Sequence, residues 1–156
     1  MTNNIEQRLM QDLKQSMIEK NEIKRETIRY LRSEIHYAKI ARNKSLNEND
    51  IIDVLSKQAQ QRRDGIEIYK EASKNDLVAK EESELEVILS YLPEQLTRSE
   101  LEKIISKAII NANASRVEDL GKVMGLVMPE VKGKAEGREV REIVNILLNR
   151  NREPEQ

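Results

Sequence analysis

The sequence predicts an all-α protein. Hydrophobic residues recur at intervals of three and four along most of the chain, and no stretch shows the apolar–polar alternation of a strand. Charged residues make up 35% of the chain and hydrophobic residues 38%, with no Trp and no Phe, which is typical of long solvated helices with aliphatic seams. Four of the five glycines fall between residues 121 and 140, and this concentration needs an explanation of its own.

The periodicity divides the chain into seven helices, four before Pro93 and three after it. They are predicted at about residues 3–20, 22–43, 49–74, 77–91, 97–112, 117–132 and 137–150. The sequence therefore predicts an N-terminal four-helix part with long helices, followed by a compact C-terminal three-helix domain. The predicted domains are residues 1–95 and 96–151, with a disordered tail at 152–156.

Each of the first four helices has an apolar seam. The residues predicted to face inward on the first two are Ile5, Leu9, Leu13 and Met17, then Ile23, Thr27, Tyr30, Leu31, Ala38 and Ala41. Those of the next two are Ile52, Leu55, Ala59, Arg62, Ile66 and Tyr69, then Val78, Leu85, Ile88, Leu89 and Leu92. Asp76 is the predicted cap of the fourth helix, which Pro93 ends because the residue before a proline disfavours helix.

The last three helices are identified from their boundaries. Thr97 and Glu100 form the pattern of a capping box, which opens the fifth helix. Residues 111–115, rich in Asn and Ser, separate the fifth helix from the sixth. Pro129 is predicted to kink the sixth helix near its end. Gly133 is predicted to form a left-handed cap, and Gly137 to let the chain turn tightly into the seventh helix.

Composition and charge limit the classes of function that the chain can have. The net charge is −1, so nucleic acid or membrane is not attracted by the chain as a whole, and any such binding requires a local patch. No apolar run reaches signal-peptide or membrane-spanning length, and the chain has no cysteine, which together predict a cytoplasmic protein without a membrane partner. His36 is the only histidine, and without cysteines it is a poor metal ligand, so no metal or cofactor is predicted.

A basic row follows one side of the second predicted helix. Its members, spaced by four, three, four and three residues, are Arg25, Arg29, Arg32, His36 and Lys39. This spacing confines them to about one quarter of the helix circumference, where they could track a phosphate backbone. The alternative is an ordinary solvated face opposite the core.

Two charged residues fall on predicted apolar faces. Glu34 lies in the face of the second helix and Arg62 in that of the third. Because burying an unpaired charge costs several kcal/mol, each needs a partner. We expect Arg62 to pair with Glu34 or with a glutamate of the fourth helix such as Glu84, and the pair to fix the registry of the helices.

The glycine-rich segment offers a second candidate site. Gly121 and Gly125 share one face of the sixth helix, where each costs about 1 kcal/mol relative to alanine. That cost implies close approach of either a neighbouring helix backbone or a ligand backbone. Cations surround the predicted start of the seventh helix, whose unpaired N–H groups favour anions. The predicted nucleic-acid-binding residues are Lys122, Lys132, Gly133, Lys134, Gly137, Arg138 and Arg141, although the interleaved glutamates also fit a solvated surface.

Three motifs in order carry a resemblance to a known family. Tyr91-Leu-Pro-Glu-Gln-Leu96, Leu120-Gly-Lys-Val-Met-Gly125 and Gly133-Lys-Ala-Glu-Gly137 resemble the YqeY-like proteins over nearly the whole chain. The C-terminal half is also similar to the tail domain of the B subunit of the glutamine-dependent Asp-tRNA/Glu-tRNA amidotransferase, a helical module that helps to hold tRNA. Glu136 departs from this pattern, since many relatives have Asp there.

The resemblance implies an all-helical protein linked to tRNA or to transamidation. The implied partners are tRNA and an aminoacyl-tRNA synthetase or amidotransferase subunit. The family label, carbon–nitrogen ligase with glutamine as amido-N-donor, derives from the multidomain enzyme and confers no catalytic site here. No phosphate-binding loop, zinc motif or amidase site is visible in the sequence.

Three hypotheses remain open from the sequence. The first is a tRNA-associated helical module without its own catalytic site. The second is a protein-interaction adaptor whose long N-terminal helices form the working surface. The third is an enzyme of the carbon–nitrogen ligase type that acts only within a larger assembly. A salt titration separates the first two, because phosphate binding weakens steeply as the salt concentration rises.

Overall fold

The computed structural model describes residues 4–151, and this part of the chain is helical without a β-strand, so the all-α prediction is confirmed. The α-helices are α1 (Asn4–Ile18), α2 (Glu22–Arg42), α3 (Glu48–Glu71), α4 (Asn75–Leu89), α5 (Arg98–Asn111), α6 (Leu120–Val131) and α7 (Gly137–Arg150). A single 3-10 turn, Val117–Asp119, precedes α6. The predicted tail at 152–156 lies outside the described residues.

Contacts divide the chain between Pro93 and Glu94 into two compact units, called here the N-terminal and the C-terminal unit. Several helix boundaries follow from local capping. Thr97 accepts a hydrogen bond from the Glu100 amide, and the Glu100 carboxylate accepts one from the Thr97 amide, so the predicted capping box is confirmed. These reciprocal bonds satisfy two amides that the first turn of a helix leaves without partners.

The predicted cap of α4 is wrong. This helix begins at Asn75, the preceding residue Lys74 occupies the cap position, and no side chain closes it. Asp76 lies instead within the first turn, where a carboxylate still interacts favourably with the positive end of the helix dipole. A capping aspartate and a first-turn aspartate differ by only two positions, which sequence patterns rarely resolve.

The core of the N-terminal unit combines residues from all of its helices. Its fully buried large aliphatic residues are Leu9, Ile28, Leu31, Ile51, Leu55 and Ile88. On α2 the predicted inward face is partly wrong, since Ile23, Tyr30 and Ala41 are exposed whereas Ile28 and Ile35 are buried. Apolar residues lie on several sides of α2, so the helices packed against it, and not its own pattern, determine the buried side.

The end of α1 also departs from its apolar pattern. Met17 is exposed, and the neighbouring Ser16 is buried with its hydroxyl donating to the Leu13 carbonyl over 2.7 Å. Because this local bond satisfies the hydroxyl, the serine can be buried without a partner from another helix.

Arg62 forms the centre of a polar cluster between α3 and α4. Its side chain is 12% exposed, and Nε donates to Glu84 Oε2 over 2.8 Å while lying 3.8 Å from Glu81 Oε2. The guanidinium also lies 4.9 Å from the centre of the Tyr30 ring. Of the two pairings expected for Arg62, the structure therefore shows the one with Glu84. Glu34 lines a separate pocket of about 400 Å³ formed with α3 residues.

Glu81 in this cluster supports a prediction on pH dependence. Burial, followed by repulsion from Glu84, raises the pKa of Glu81, and Arg62 offsets only part of the rise. Because the folded protein holds this proton more tightly than the unfolded chain, stability falls as the pH rises through the interval between the ordinary and the raised pKa. We expect Glu81→Gln to be more stable than the natural protein by up to about 1 kcal/mol near pH 7.

Urea unfolding at several pH values checks this expectation. The advantage of Glu81→Gln should disappear at low pH, where the glutamate is protonated in both states. Glu82→Gln is the matched control, because Glu82 is the exposed neighbour and should show no such gain. A loss of stability in Glu81→Gln near pH 7 would mean that Glu81 acts mainly as a second counterion for Arg62.

A second cluster joins α1 to the residues that follow α4. Tyr91 is buried, its hydroxyl donates to the Asp12 carboxylate, and the Arg8 guanidinium lies 5.0 Å from the centre of its ring. Arg8 also donates to the Ser90 carbonyl over 3.0 Å. Burial, reinforced by the bond to Asp12, raises the pKa of Tyr91 well above its ordinary value, so this residue remains a neutral donor. Tyr91 thereby anchors the start of the motif at 91–96.

The C-terminal unit has its own core. The fully buried residues contributed by α5, α6 and α7 include Leu101, Ile105, Val123, Val127, Val131, Val140, Ile143, Val144 and Leu148. On α6 the three valines at intervals of four form the buried face. Pro129 lies within α6, which continues to Val131. The side of α6 away from the valines faces solvent and leads to the candidate site.

Candidate functional site

The loop between α6 and α7 turns at Gly133. Its φ angle is 75°, which is the left-handed conformation that the sequence predicted. The Lys134 amide donates a hydrogen bond to the Val131 carbonyl over 2.8 Å and closes the turn. Gly133 is buried. Gly133 therefore shapes the turn, and its direct contact with nucleic acid stays a prediction.

Two of the three sequence motifs meet at this loop. Gln95 donates through Nε2 to the Gly133 carbonyl over 2.7 Å, and the Leu96 amide donates to the Lys134 carbonyl over 2.8 Å. The motif at 91–96 thus holds the motif at 133–137 through two hydrogen bonds. This fixes the backbone of Lys134 while its side chain stays exposed. No local pattern in the sequence indicates this pairing.

The start of α7 has no side-chain cap. Glu136 occupies the cap position in an extended conformation, and its carboxylate makes no capping hydrogen bond. The positive end of the helix dipole is therefore not capped by this carboxylate. Gly137 is the first residue of α7 and has no positive φ, so the predicted tight turn is made at Gly133 and not at Gly137. Gly137 is half-buried, and a β-carbon there would lie 3.8 Å from Met128 Cε.

Four predicted cations lie exposed around this helix start. We call Lys132, Lys134, Arg138 and Arg141 the cationic corner. Lys132 and Lys134 come from the loop, and Arg138 and Arg141 are three residues apart near the start of α7, so they lie on one side of that helix. Glu139 is half-buried and Glu142 exposed, so acidic groups also lie nearby.

Lys122 does not belong to the cationic corner. It lies near the start of α6, ten residues before Lys132, which corresponds to about 15 Å along a helix. That Lys122 extends the nucleic-acid site along α6 stays a prediction. Lys122 lies instead near Asp119, whose pKa is lowered first by hydrogen bonds from the Ser115 and Arg116 amides and then by nearby cations.

The two glycines of α6 face open space. Gly121 and Gly125 are exposed, and a β-carbon built on either would have nothing within 4 Å apart from its own local backbone. The interpretation that a neighbouring helix backbone approaches them is therefore wrong for the described residues. Their cost to the helix, about 1 kcal/mol each, has no counterpart in the packing. Leu126, which is 48% exposed, and Pro129 lie on the same solvent side.

We call Gly121, Gly125, Leu126 and Pro129 the glycine face. By helical periodicity Lys132 continues this face at one end, and Lys122 lies beside it at the other. The result is a helix surface with two positions that lack side chains and a cation near each end. Such a surface lets an extended backbone of another molecule approach α6 closely.

The basic row on α2 is largely occupied by carboxylates. Arg25 and Arg29 each lie 3.1 Å from Glu26, and Lys39 forms an ion pair with Glu6. Most of the row lines a pocket together with residues of α1. The row therefore follows the side of α2 that borders α1 and does not lie opposite the core. Both features make the basic row a weaker candidate for binding a phosphate backbone.

Two further findings concern the described part of the chain. None of its helices is sufficiently long and apolar to cross a membrane. Within residues 4–151 no group of three or more His, Cys, Asp or Glu residues is arranged to hold a metal ion.

Comparison with known proteins confirms the resemblance to the YqeY-like proteins. The family described as Yqey-like protein matches residues 6–148. A curated protein from Pyrenophora tritici-repentis, named Altered inheritance of mitochondria protein 41, mitochondrial, is 32% identical over 130 residues, which are 82% of this chain and 71% of that protein. Proteins of the same name from Lachancea thermotolerans and Saccharomyces cerevisiae are 42% and 39% identical over 95 and 92 residues.

The two yeast matches cover 60% and 58% of this chain, and 51% and 50% of the yeast proteins. The chain thus spans about half the length of these two relatives. The names of all three relatives describe them as mitochondrial proteins, which contradicts the predicted cytoplasmic localisation. That prediction relied on the absence of apolar targeting segments, a criterion that does not detect the amphipathic, basic leaders of mitochondrial import.

Proposed function

This chain belongs to the YqeY-like family, and from that membership we propose that it is a tRNA-associated helical module without a catalytic site of its own. Its C-terminal unit, α5 to α7, would correspond to the tRNA-holding tail of the glutamine-dependent amidotransferase, and the long helices before it would form a separate part. The RNA backbone would bind along the glycine face of α6 and at the cationic corner.

The observation that carries the proposal is the exposure of Gly121 and Gly125 with open space above both. A helix retains two destabilising glycines without an internal reason, and cations lie near both ends of the face they form. Removing side chains from a surface lets a sugar–phosphate backbone approach the helix. Lysine and arginine then bind phosphate oxygens without reading the base sequence.

The cationic corner adds a second group of phosphate ligands. Arg138 and Arg141 flank the uncapped start of α7, where the helix dipole also favours anions. The bonds from Gln95 and Leu96 hold the preceding loop in place, so less conformational entropy is lost when Lys134 binds. In this proposal the carbon–nitrogen ligase label of the family describes a larger assembly, to which the module contributes RNA binding.

Filter binding with total tRNA tests the proposal. We expect Lys132→Glu/Lys134→Glu to bind tRNA at least about tenfold more weakly than the natural protein, because two attractive phosphate contacts become repulsive. The matched control is Lys103→Glu/Lys107→Glu, which reverses two exposed charges on α5 of the same unit. It should bind nearly as well as the natural protein.

The two double variants have the same net charge, so a difference between them locates the site. Equal weakening would show that only the overall charge matters and would reject the cationic corner. Undiminished binding by Lys132→Glu/Lys134→Glu would reject it as well.

A further inference from the structure

A groove in the N-terminal unit lies outside the proposed RNA site. It runs between α1 and α2 and encloses about 780 Å³. Leu9 and Ile35, both buried, form its floor, while Met10 and Tyr37 border it and are 48% and 61% exposed. The accessible apolar surface of the groove therefore comes mainly from Met10 and Tyr37, and two large exposed side chains beside one groove favour a binding surface over a solvated helix face.

The rim of the groove is positively charged. Three cations line the groove, namely Arg29, Arg32 and Lys39. Its lining includes one carboxylate, that of Glu6. Lys39 forms an ion pair with Glu6, and Arg29 forms one with Glu26 at 3.1 Å. Arg32 is exposed and makes no ion pair among residues 4–151. The groove therefore offers exposed apolar borders and at least one cation that has no counterion in the described chain.

The length of the groove fits a helix. The residues that line it on α2 extend from Arg29 to Lys39, which corresponds to about 15 Å or three helical turns. An amphipathic helix places apolar anchors at positions i, i+3 or i+4, and i+7, which fit within that distance. RNA would use the cations but has no aliphatic side chains to cover Met10, which is exposed.

We propose that the groove between α1 and α2 binds an amphipathic helix of a partner protein, with large aliphatic side chains on its apolar face and acidic residues along its flanks. The aliphatic side chains enter the groove and cover the exposed side chains of Met10 and Tyr37. The acidic flank pairs with Arg32. The residues of this groove belong to the N-terminal unit, whereas those of the glycine face and the cationic corner belong to the C-terminal unit.

Fluorescence anisotropy with two labelled helical peptides tests the proposal on the full chain. Both peptides carry leucines at helical spacing, and one has glutamates on its flanks where the other has lysines. We expect the acidic peptide to bind and the basic peptide to bind at least about tenfold more weakly. Binding should also perturb the backbone amide resonances of residues 6–10 and 29–39 in preference to the rest.

Two variants assign the binding to the groove. Arg32→Glu should weaken the acidic peptide about tenfold and improve the basic one, whereas Lys107→Glu, an exposed charge reversal on α5, should change neither. No binding of the acidic peptide at about 1 mM would overturn the proposal. So would equal binding of both peptides, or an Arg32→Glu variant that loses affinity for total tRNA and keeps its affinity for the peptide.

Discussion

Replacement of Gly121 and Gly125 by alanine is expected to make the protein more stable and at the same time a weaker ligand for tRNA. Alanine at position 125 should stabilise α6 by about 1 kcal/mol and alanine at position 121, in the first turn, by less, because each lowers the entropy lost on helix formation and its methyl group meets nothing within 4 Å apart from the local helix backbone. The same methyl groups stand on the glycine face where the RNA backbone is proposed to lie. We expect the double variant to bind total tRNA about tenfold more weakly.

Urea unfolding and filter binding on the same preparations measure both effects. Gly65→Ala is the matched control, since Gly65 also lies within a helix but a β-carbon there would be 3.2 Å from Glu81 Oε2. Its gain in helix propensity should be offset by displacement of that carboxylate, and its affinity for tRNA should not change.

Two outcomes would contradict this interpretation of the glycine face. A loss of stability on the alanine substitutions would mean that the glycines are covered by the protein itself. A gain of stability with unchanged tRNA affinity would mean that the RNA does not approach α6 at these positions.

Arg62→Met is expected to produce the largest loss of stability among the substitutions considered, about 2–3 kcal/mol. The methionine fills much of the same volume, but Glu84 and Glu81 are left close together without their counterion. The contact of the guanidinium with the Tyr30 ring is lost as well. The loss should be visible as a lower midpoint of urea unfolding near pH 7.

Second substitutions distinguish charge from packing. Adding Glu81→Gln and Glu84→Gln to Arg62→Met should recover a large part of the loss, because the two carboxylates no longer repel each other. Arg98→Met is the control, since Arg98 lies 3.5 Å from Glu102 in an exposed pair and should cost less than about 0.5 kcal/mol. If the neutralised variant recovers nothing, the role of Arg62 is packing and not charge compensation.

The helices were predictable from the sequence because the patterns that specify a helix, apolar spacing and capping residues, are local. Apolar spacing located all of them, and the Thr97–Glu100 box fixed the start of α5 to the residue. The orientation of α2 was not predictable in the same way. Its buried side depends on which neighbours pack against it, and apolar residues such as Ile23 and Tyr30 occur on sides that those neighbours leave exposed.

The residues of the candidate site were predictable from the sequence, but the contacts that position them were not. Its cations were apparent in the sequence, and the left-handed Gly133 followed from its position after α6. The bond from Gln95 to the Gly133 carbonyl joins residues 38 apart, and no periodic pattern indicates such a pairing. The open space above Gly121 and Gly125 likewise depends on where α5 and α7 pack, so the sequence left two explanations for these glycines and only the structure separated them.

The salt dependence of tRNA binding shows whether the protein holds RNA through phosphate contacts, because such contacts release counterions in proportion to their number. Lys132, Lys134, Arg138 and Arg141 supply up to four contacts, which predicts a slope of about −3 for the logarithm of the binding constant against that of the salt concentration. A fourfold increase in salt should then weaken binding about 60-fold. Binding that barely responds to salt, or no measurable binding at low salt, would contradict the proposed function.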